Sequence, residues 1–149
     1  AQCVFEQGGV LDKFLGDGLM AIFGVLPDAS CGAAAAANTV RAIRQAVAAV
    51  NRDRAARGEL VVNFGTGVHT GEVVLGAVGL PQRSDYTAIG DTVNTASRLE
   101  SLCKEYHVDC VISADAAALL DGGDALQRLG EAHIRGKEHE LEVFTLKGQ

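Results

Sequence analysis

Residues 84–100, S-D-Y-T-A-I-G-D-T-V-N-T-A-S-R-L-E, read as a short strand, a glycine turn and a helix. Tyr86, Thr87 and Ile89 suit a strand, because aromatic and β-branched side chains fit a pleated, half-buried surface. Gly90 permits a sharp turn, and Asp91 is placed to cap the first turn of a helix by accepting from its free N–H groups. Beyond it Val93, Ala96, Leu99 and Leu102 recur every three residues, the stripe expected of a buried face. Asn94 and Arg98, four apart, share another face, one above the other. A mediocre helix former aligned with a long cation behind a glycine turn points to a site for something polar and anionic.

Around that stretch the chain has 149 residues, the size of one domain, expected to run over 1–149 with a single core. Hydrophobic residues make up 48% and charged residues 21%, a globular composition. A net charge of −6 argues against a nucleic-acid binder, as does the absence of Trp, and leaves room for a local cationic cluster around a small anion. No run of about 20 apolar residues offers a membrane span, and no secretory signal is seen. The four cysteines, at 3, 31, 103 and 110, form no C-x-x-C pair, so zinc is not expected. Ordinary thiols, Cys103 and Cys110 included, in a reduced, cytoplasmic setting are expected instead.

In chain order, residues 9–24 form two apolar runs, 10–15 and 19–23, on either side of Gly16-Asp17-Gly18, a hairpin signal. Taken alone, Asp17 serves only the turn and Lys13 is a solvated strand residue. Residues 28–57 read as one long helix capped by Asp28 or Ser30, stopped by Gly58, with Val40, Ile43, Val47 and Val50 as its stripe. Arg41, Arg44, Arg52 and Arg54 are expected outside it. Residues 60–68 and 72–78 read as strands thinned by glycines, which implies that another backbone or a ligand comes close. His69 between them reads as a hydrogen-bonded structural histidine rather than a catalytic base. A strand at 108–113, a short helix at 114–120 and strands at 126–134 and 141–146 complete an α+β sandwich with a mostly antiparallel sheet covered by helices.

Four motifs in register, V-L-D-K-F-L-G-D-G-L-M-A-I-F-G, F-G-T-G-V-H-T-G-E-V-V-L-G-A-V-G, D-Y-T-A-I-G-D-T-V-N-T-A-S-R-L-E and I-R-G-K, resemble the catalytic domain of class III nucleotidyl cyclases over essentially the whole chain. The resemblance implies a ferredoxin-like βαββαβ core and a homodimer with active sites between subunits. It implies that ATP is the substrate, its 3′-hydroxyl attacking its own α-phosphate to give cyclic AMP and pyrophosphate. Two divalent ions, Mg²⁺ or Mn²⁺, are implied as cofactors, and they need carboxylate oxygens. Asp17 matches one of the family's two metal aspartates, Arg98 the arginine on the α-phosphate, and Asn94 the asparagine that orients the ribose. Arg83 and Lys137 fall where the family has phosphate-contacting cations. Lys13 and Thr87 match the base-selecting pair: a lysine donor beside a hydroxyl acceptor complements the N1 and amino group of adenine. Guanylate-forming relatives typically carry Glu and Cys there. In the family Asp17 of one subunit meets Lys13, Thr87, Asn94 and Arg98 of the other.

The family domain opens with a strand carrying the first metal aspartate, a phosphate-binding turn and a helix, and residues 1–7 match at best the end of its second helix. The chain is therefore expected to lack that first strand and helix, with an exposed sheet edge and weakened metal sites, and to be a poor catalyst by itself. The alternatives are an inactive fragment of a cyclase, or a non-catalytic nucleotide-binding or dimerisation module derived from one. The joint presence of Lys13, Asp17, Thr87, Asn94 and Arg98 weighs against the module.

Overall fold

The structure, a computed structural model, describes residues 1–26, 31–80, 83–121, 125–137 and 139–148, with only the backbone described at 79–80 and 83–86. The order is α1 (Gln2–Glu6), β1 (Val10–Leu15), β2 (Gly18–Ile22), α2 (Gly32–Ala56), β3 (Gly67–Val68), β4 (Val74–Leu80), β5 (Arg83–Ile89), α3 (Asp91–Tyr106), β6 (Val111–Ser113), α4 (Ala114–Ala117), β7 (Leu126–Ala132) and β8 (Leu141–Leu146). A four-stranded sheet runs β3-β6-β8-β7, and β1-β2 and β4-β5 form hairpins. Only β3 and β6 pair in parallel among the described strands, so the α+β class and the mostly antiparallel sheet are both met.

Strand alternation divides the core. Successive residues of β6 point to opposite faces. Cys110 and Ile112 accordingly pack with Ala37 and Val40 of α2 and with Leu146, while Val111 packs with Leu99 and Cys103 of α3 and with Ile134 and Val143. Leu99 is fully buried, which stabilises by about 1.5–3 kcal/mol. The contact between α3 and β3 is closer still. A Cβ at Gly67 would collide with the Ala96 carbonyl oxygen and the Glu100 nitrogen, so the helix rests on bare strand backbone. That is the close approach implied by the glycine-thinned strands.

Several elements differ from expectation. Helix α2 starts at Gly32 behind Cys31, which makes no side-chain cap bond; Asp28 and Ser30 lie outside the described residues. Its buried residues are Ala33, Ala35, Ala37, Thr39 and Val40, and Val50 is exposed. The reason is length: 25 residues of helix reach about 37 Å, whereas strands of this sheet span roughly 23 Å at most. Arg44, expected outside, donates to both oxygens of Asp109 at 2.7 and 2.5 Å and to the Leu146 carbonyl at 2.8 Å, tying α2 to β8.

The expected strand at 60–68 shrinks to Gly67–Val68. Among the described residues only the Thr66 carbonyl, which accepts from the Val111 N–H at 2.9 Å, continues the pairing N-terminal to Gly67, and a strand exists only through its ladder. The Asn51 side chain instead bonds both backbone groups of Val62, at 2.8 and 2.7 Å. In α3 the buried side chains are Thr95, Leu99 and Cys103, an i, i+4 row; a strict three-residue repeat drifts off a helix of 3.6 residues per turn. Gly90, at φ +152°, is the N-cap in place of Asp91.

Candidate active site

The β1–β2 turn consists of Gly16 and Asp17, and Gly16 supplies the positive φ, +64°, at its first position, as a twisted two-residue hairpin turn requires. Asp17 stands exposed at this tip. Further down, the register passes from Leu11↔Ala21 to Lys13↔Met20, so Asp12 is the extra residue of a β-bulge. A bulge re-aims side chains, and here Asp12 turns into the protein, its side chain only 3% exposed. Its Oδ2 accepts from the Thr87 hydroxyl at 2.6 Å and its Oδ1 from the Ala88 N–H at 3.0 Å. The Lys13 ammonium stands 3.5 Å from the same Oδ2, on a side chain that remains 41% exposed. One carboxylate thus brings Lys13 and Thr87 together across two hairpins.

The second half of the site is the start of α3. Ala88, Ile89, Gly90, Val93 and Asn94 line an open concavity of about 330 Å³. Arg98 is one turn beyond Asn94 on the same helix face. The turn after Ile134 closes on it: Gly136 has φ +85°, and a Cβ there would stand 3.4 Å from Arg98 Nη1. Only a glycine brings backbone this near the guanidinium without strain. Lys137, next in sequence, places its Nζ 2.5 Å from Asp91 Oδ2. Hydrogen bonding to Lys137, with the positive charges of Lys137 and Arg98 adding to it, holds the Asp91 carboxyl below its ordinary value of 3.8.

His69 Nδ1 shares a 2.7 Å hydrogen bond with Ser113 Oγ, and burial pushes the imidazole below its usual 6.5. The expected hydrogen bond of this histidine is thus present. Arg83 opens β5, and its side chain lies outside the described residues.

The expected residues therefore fall into three groups. Lys13 and Thr87 converge through Asp12; Asn94, Arg98 and Lys137 lie on or beside α3; Asp17 is exposed at the hairpin tip. Asp12 was not foreseen, although a carboxylate between Leu11 and Lys13 in an otherwise apolar run was a visible signal. Asp91 was foreseen as a cap and is an ion-pair partner instead. As a metal ligand Asp17 fits in part: an exposed carboxylate on a rigid tip suits a hard cation. Among the described residues, however, no group of three or more His, Cys, Asp or Glu side chains is placed to enclose one. No described helix is long and apolar enough to cross a membrane.

A family model described as the adenylate and guanylate cyclase catalytic domain matches residues 10–148. The adenylate cyclase of Anabaena cylindrica is 32% identical over 153 residues, taking in 98% of this chain and 30% of that protein. Adenylate cyclase 1 of Rhizobium meliloti is 30% identical over 148 residues, with 99% and 22% covered. The chain thus spans less than a third of either relative's length. Among solved structures, the adenylyl cyclase CyaB from P. aeruginosa superposes with a TM-score of 0.87 at 25% identity, covering 99% of this chain and 76% of that one. The guanylyl cyclase Cya2 superposes at 0.80, also at 25% identity, covering 99% and 74%.

Proposed function

Because the chain belongs to the adenylate and guanylate cyclase catalytic domain family, we propose that it serves the conversion of ATP to cyclic AMP and pyrophosphate. Family membership leaves the base open, since CyaB is an adenylyl and Cya2 a guanylyl cyclase. What supports adenine is the pair on Asp12: a Lys13 ammonium and a Thr87 hydroxyl held beside one another. A donor next to an acceptor complements the N1 and amino group of adenine, whereas guanine presents the reverse order.

In this reading the base sits against Lys13 and Thr87, and Asn94 orients the ribose at the mouth of the concavity. The 3′-hydroxyl gives up its proton to water, its oxygen bonds to the α-phosphorus, and the bond to the pyrophosphate oxygen breaks, so that pyrophosphate leaves with that oxygen. Arg98, on a rigid helix, stabilises charge that grows on the α-phosphate, a task suited to a fixed guanidinium. Lys137 and Arg83 contact the leaving phosphates. A divalent ion, Mg²⁺ or Mn²⁺, with Asp17 as one carboxylate ligand, would neutralise phosphate charge and acidify the hydroxyl.

The reading also takes the domain as a homodimer with shared sites. Supporting this, Phe14 is 67% and Val74 70% exposed, with Leu15, Leu19 and Ile89 also in water, on the same two hairpins that carry Lys13, Asp17 and Thr87. The test of the base assignment is a Lys13→Glu, Thr87→Cys double variant of the protein that carries this chain, assayed with ATP and GTP. Loss of ATP preference is expected, and unchanged ATP-over-GTP selectivity would sink the assignment.

A further inference from the structure

Resting on the adenylate reading, we infer that Asp12 is a positioning residue for base choice, which fixes the Thr87 hydroxyl as a hydrogen-bond acceptor towards the base. A threonine hydroxyl is ambivalent: it carries one proton and two lone pairs and rotates to suit its neighbour. Facing adenine it can accept from the amino group, but facing guanine it could turn and donate to the carbonyl. Alone it discriminates poorly.

Asp12 removes that freedom. A carboxylate only accepts, and Asp12 Oδ2 takes the single Thr87 proton at 2.6 Å. The Ala88 carbonyl, the other acceptor within reach of that proton, is farther at 3.4 Å. With the proton committed, the hydroxyl offers the site lone pairs only, which suit an amino group and repel a carbonyl. The carboxylate cannot swing away, since its Oδ1 is held by the Ala88 N–H at 3.0 Å and its side chain is almost fully enclosed. The β-bulge is what makes the arrangement possible. It lets Asp12 turn inward to Thr87 while Lys13, next in sequence, stays half in water and 3.5 Å from the same oxygen. Both base-facing groups are thus referenced to one fixed atom.

The experiment compares the unmutated protein that carries this chain with Asp12→Asn, Thr87→Val and the double variant. ATP and GTP affinities are read by displacement of a fluorescent nucleotide, alongside kcat and KM for each. An amide that accepts from Ala88 N–H turns its NH₂ to Thr87 and frees the hydroxyl proton. Asp12→Asn should therefore lower the ATP/GTP affinity ratio at least tenfold, with KM for ATP moving more than kcat, and should have no further effect on the ratio in the Thr87→Val background. Equal weakening of both nucleotides would make Asp12 plain scaffolding and overturn the proposal. If Thr87→Val shifts the ratio and Asp12→Asn does not, Asp12 alone is wrong; if Thr87→Val leaves the ratio unchanged, the base assignment falls and Asp12 with it. Should Asp12→Asn not fold, the unmutated protein still decides. Purine ribonucleoside triphosphate, which keeps N1 but lacks the amino group, should bind at least fivefold more weakly than ATP, and equal binding would overturn the acceptor role.

Discussion

Lys137 Nζ and Asp91 Oδ2 lie 2.5 Å apart, so the cation expected to meet substrate phosphate is held by a carboxylate of this chain. Lys137 bonding and the nearby charges depress the Asp91 carboxyl. A carboxyl whose folded value lies below its unfolded one binds fewer protons when folded. Its contribution is therefore present above the unfolded value of 3.8 and is lost as pH falls through the lower folded value. The pair is solvated, so the effect is small. Asp91→Asn should lower the melting temperature slightly at pH 7, and the difference from the unmutated chain should shrink as pH falls below 3.8 and vanish below the lower folded value. A thermal melt series across that range checks it; a difference that persists unchanged into acid contradicts the ion pair.

Gly136 is a neighbour of Arg98: a Cβ at that glycine would stand 3.4 Å from Arg98 Nη1. Replacing Arg98 by Ala should leave the melting temperature nearly unchanged while lowering kcat by about 100- to 1000-fold, the size seen when one transition-state donor is removed. Gly136→Ala makes the complementary test. The residue holds φ +85°, so an added Cβ strains the turn and costs about 1 kcal/mol. It should also lower kcat while leaving Arg98 in place. Turnover unchanged in both variants would remove Arg98 from the site.

The position of Asn94 and Arg98 depends on β3. Since a Cβ at Gly67 collides with backbone atoms of Ala96 and Glu100, Gly67→Ala cannot be absorbed by a side-chain rotation and must push α3 off the strand. Overpacking of this kind costs about 1–3 kcal/mol, and more where backbone has to move. A drop in urea midpoint is expected without a change in slope. Any protein that survives should show weaker nucleotide binding, because the site helix itself has shifted. A fully stable Gly67→Ala chain would mean that α3 does not rest on this strand.

Local chemistry made most of the fold legible. The hairpin at Gly16-Asp17, the strand running into Gly90 and the stretch Leu141–Leu146 were readable because turn residues and two-residue alternation act within a few positions. Contacts over long separations were not. Arg44 looked like a surface residue of α2, and its purpose depends on Asp109, 65 positions away. Residues 60–66 have strand-like side chains, yet no pairing follows from side chains alone. The site divided in the same way. Lys13, Thr87, Asn94 and Arg98 follow from motifs, but Asp12 acquires meaning only when two hairpins meet, and Asp91 changed role because a turn more than 40 residues later delivers Lys137 to it.

Asp17 and Arg98 support a prediction that neither residue carries alone. Asp17 occupies the exposed tip of the β1–β2 hairpin, and Arg98 lies on α3. If the exposed apolar surface of the two hairpins joins two copies, each shared site takes Asp17 from one subunit and Arg98 from the other. Asp17→Ala and Arg98→Ala proteins should then each be nearly inactive. Mixed so that subunits exchange, they form heterodimers in which one site lacks both residues and the other retains both. With random exchange half of the dimers are heterodimers, each holding one of two sites intact, so activity should recover to about a quarter of the unmutated level. Exchange is verified independently by mass or by energy transfer between labelled subunits. Verified heterodimers with no recovered turnover would place both residues in the same subunit's site and remove the shared-site reading.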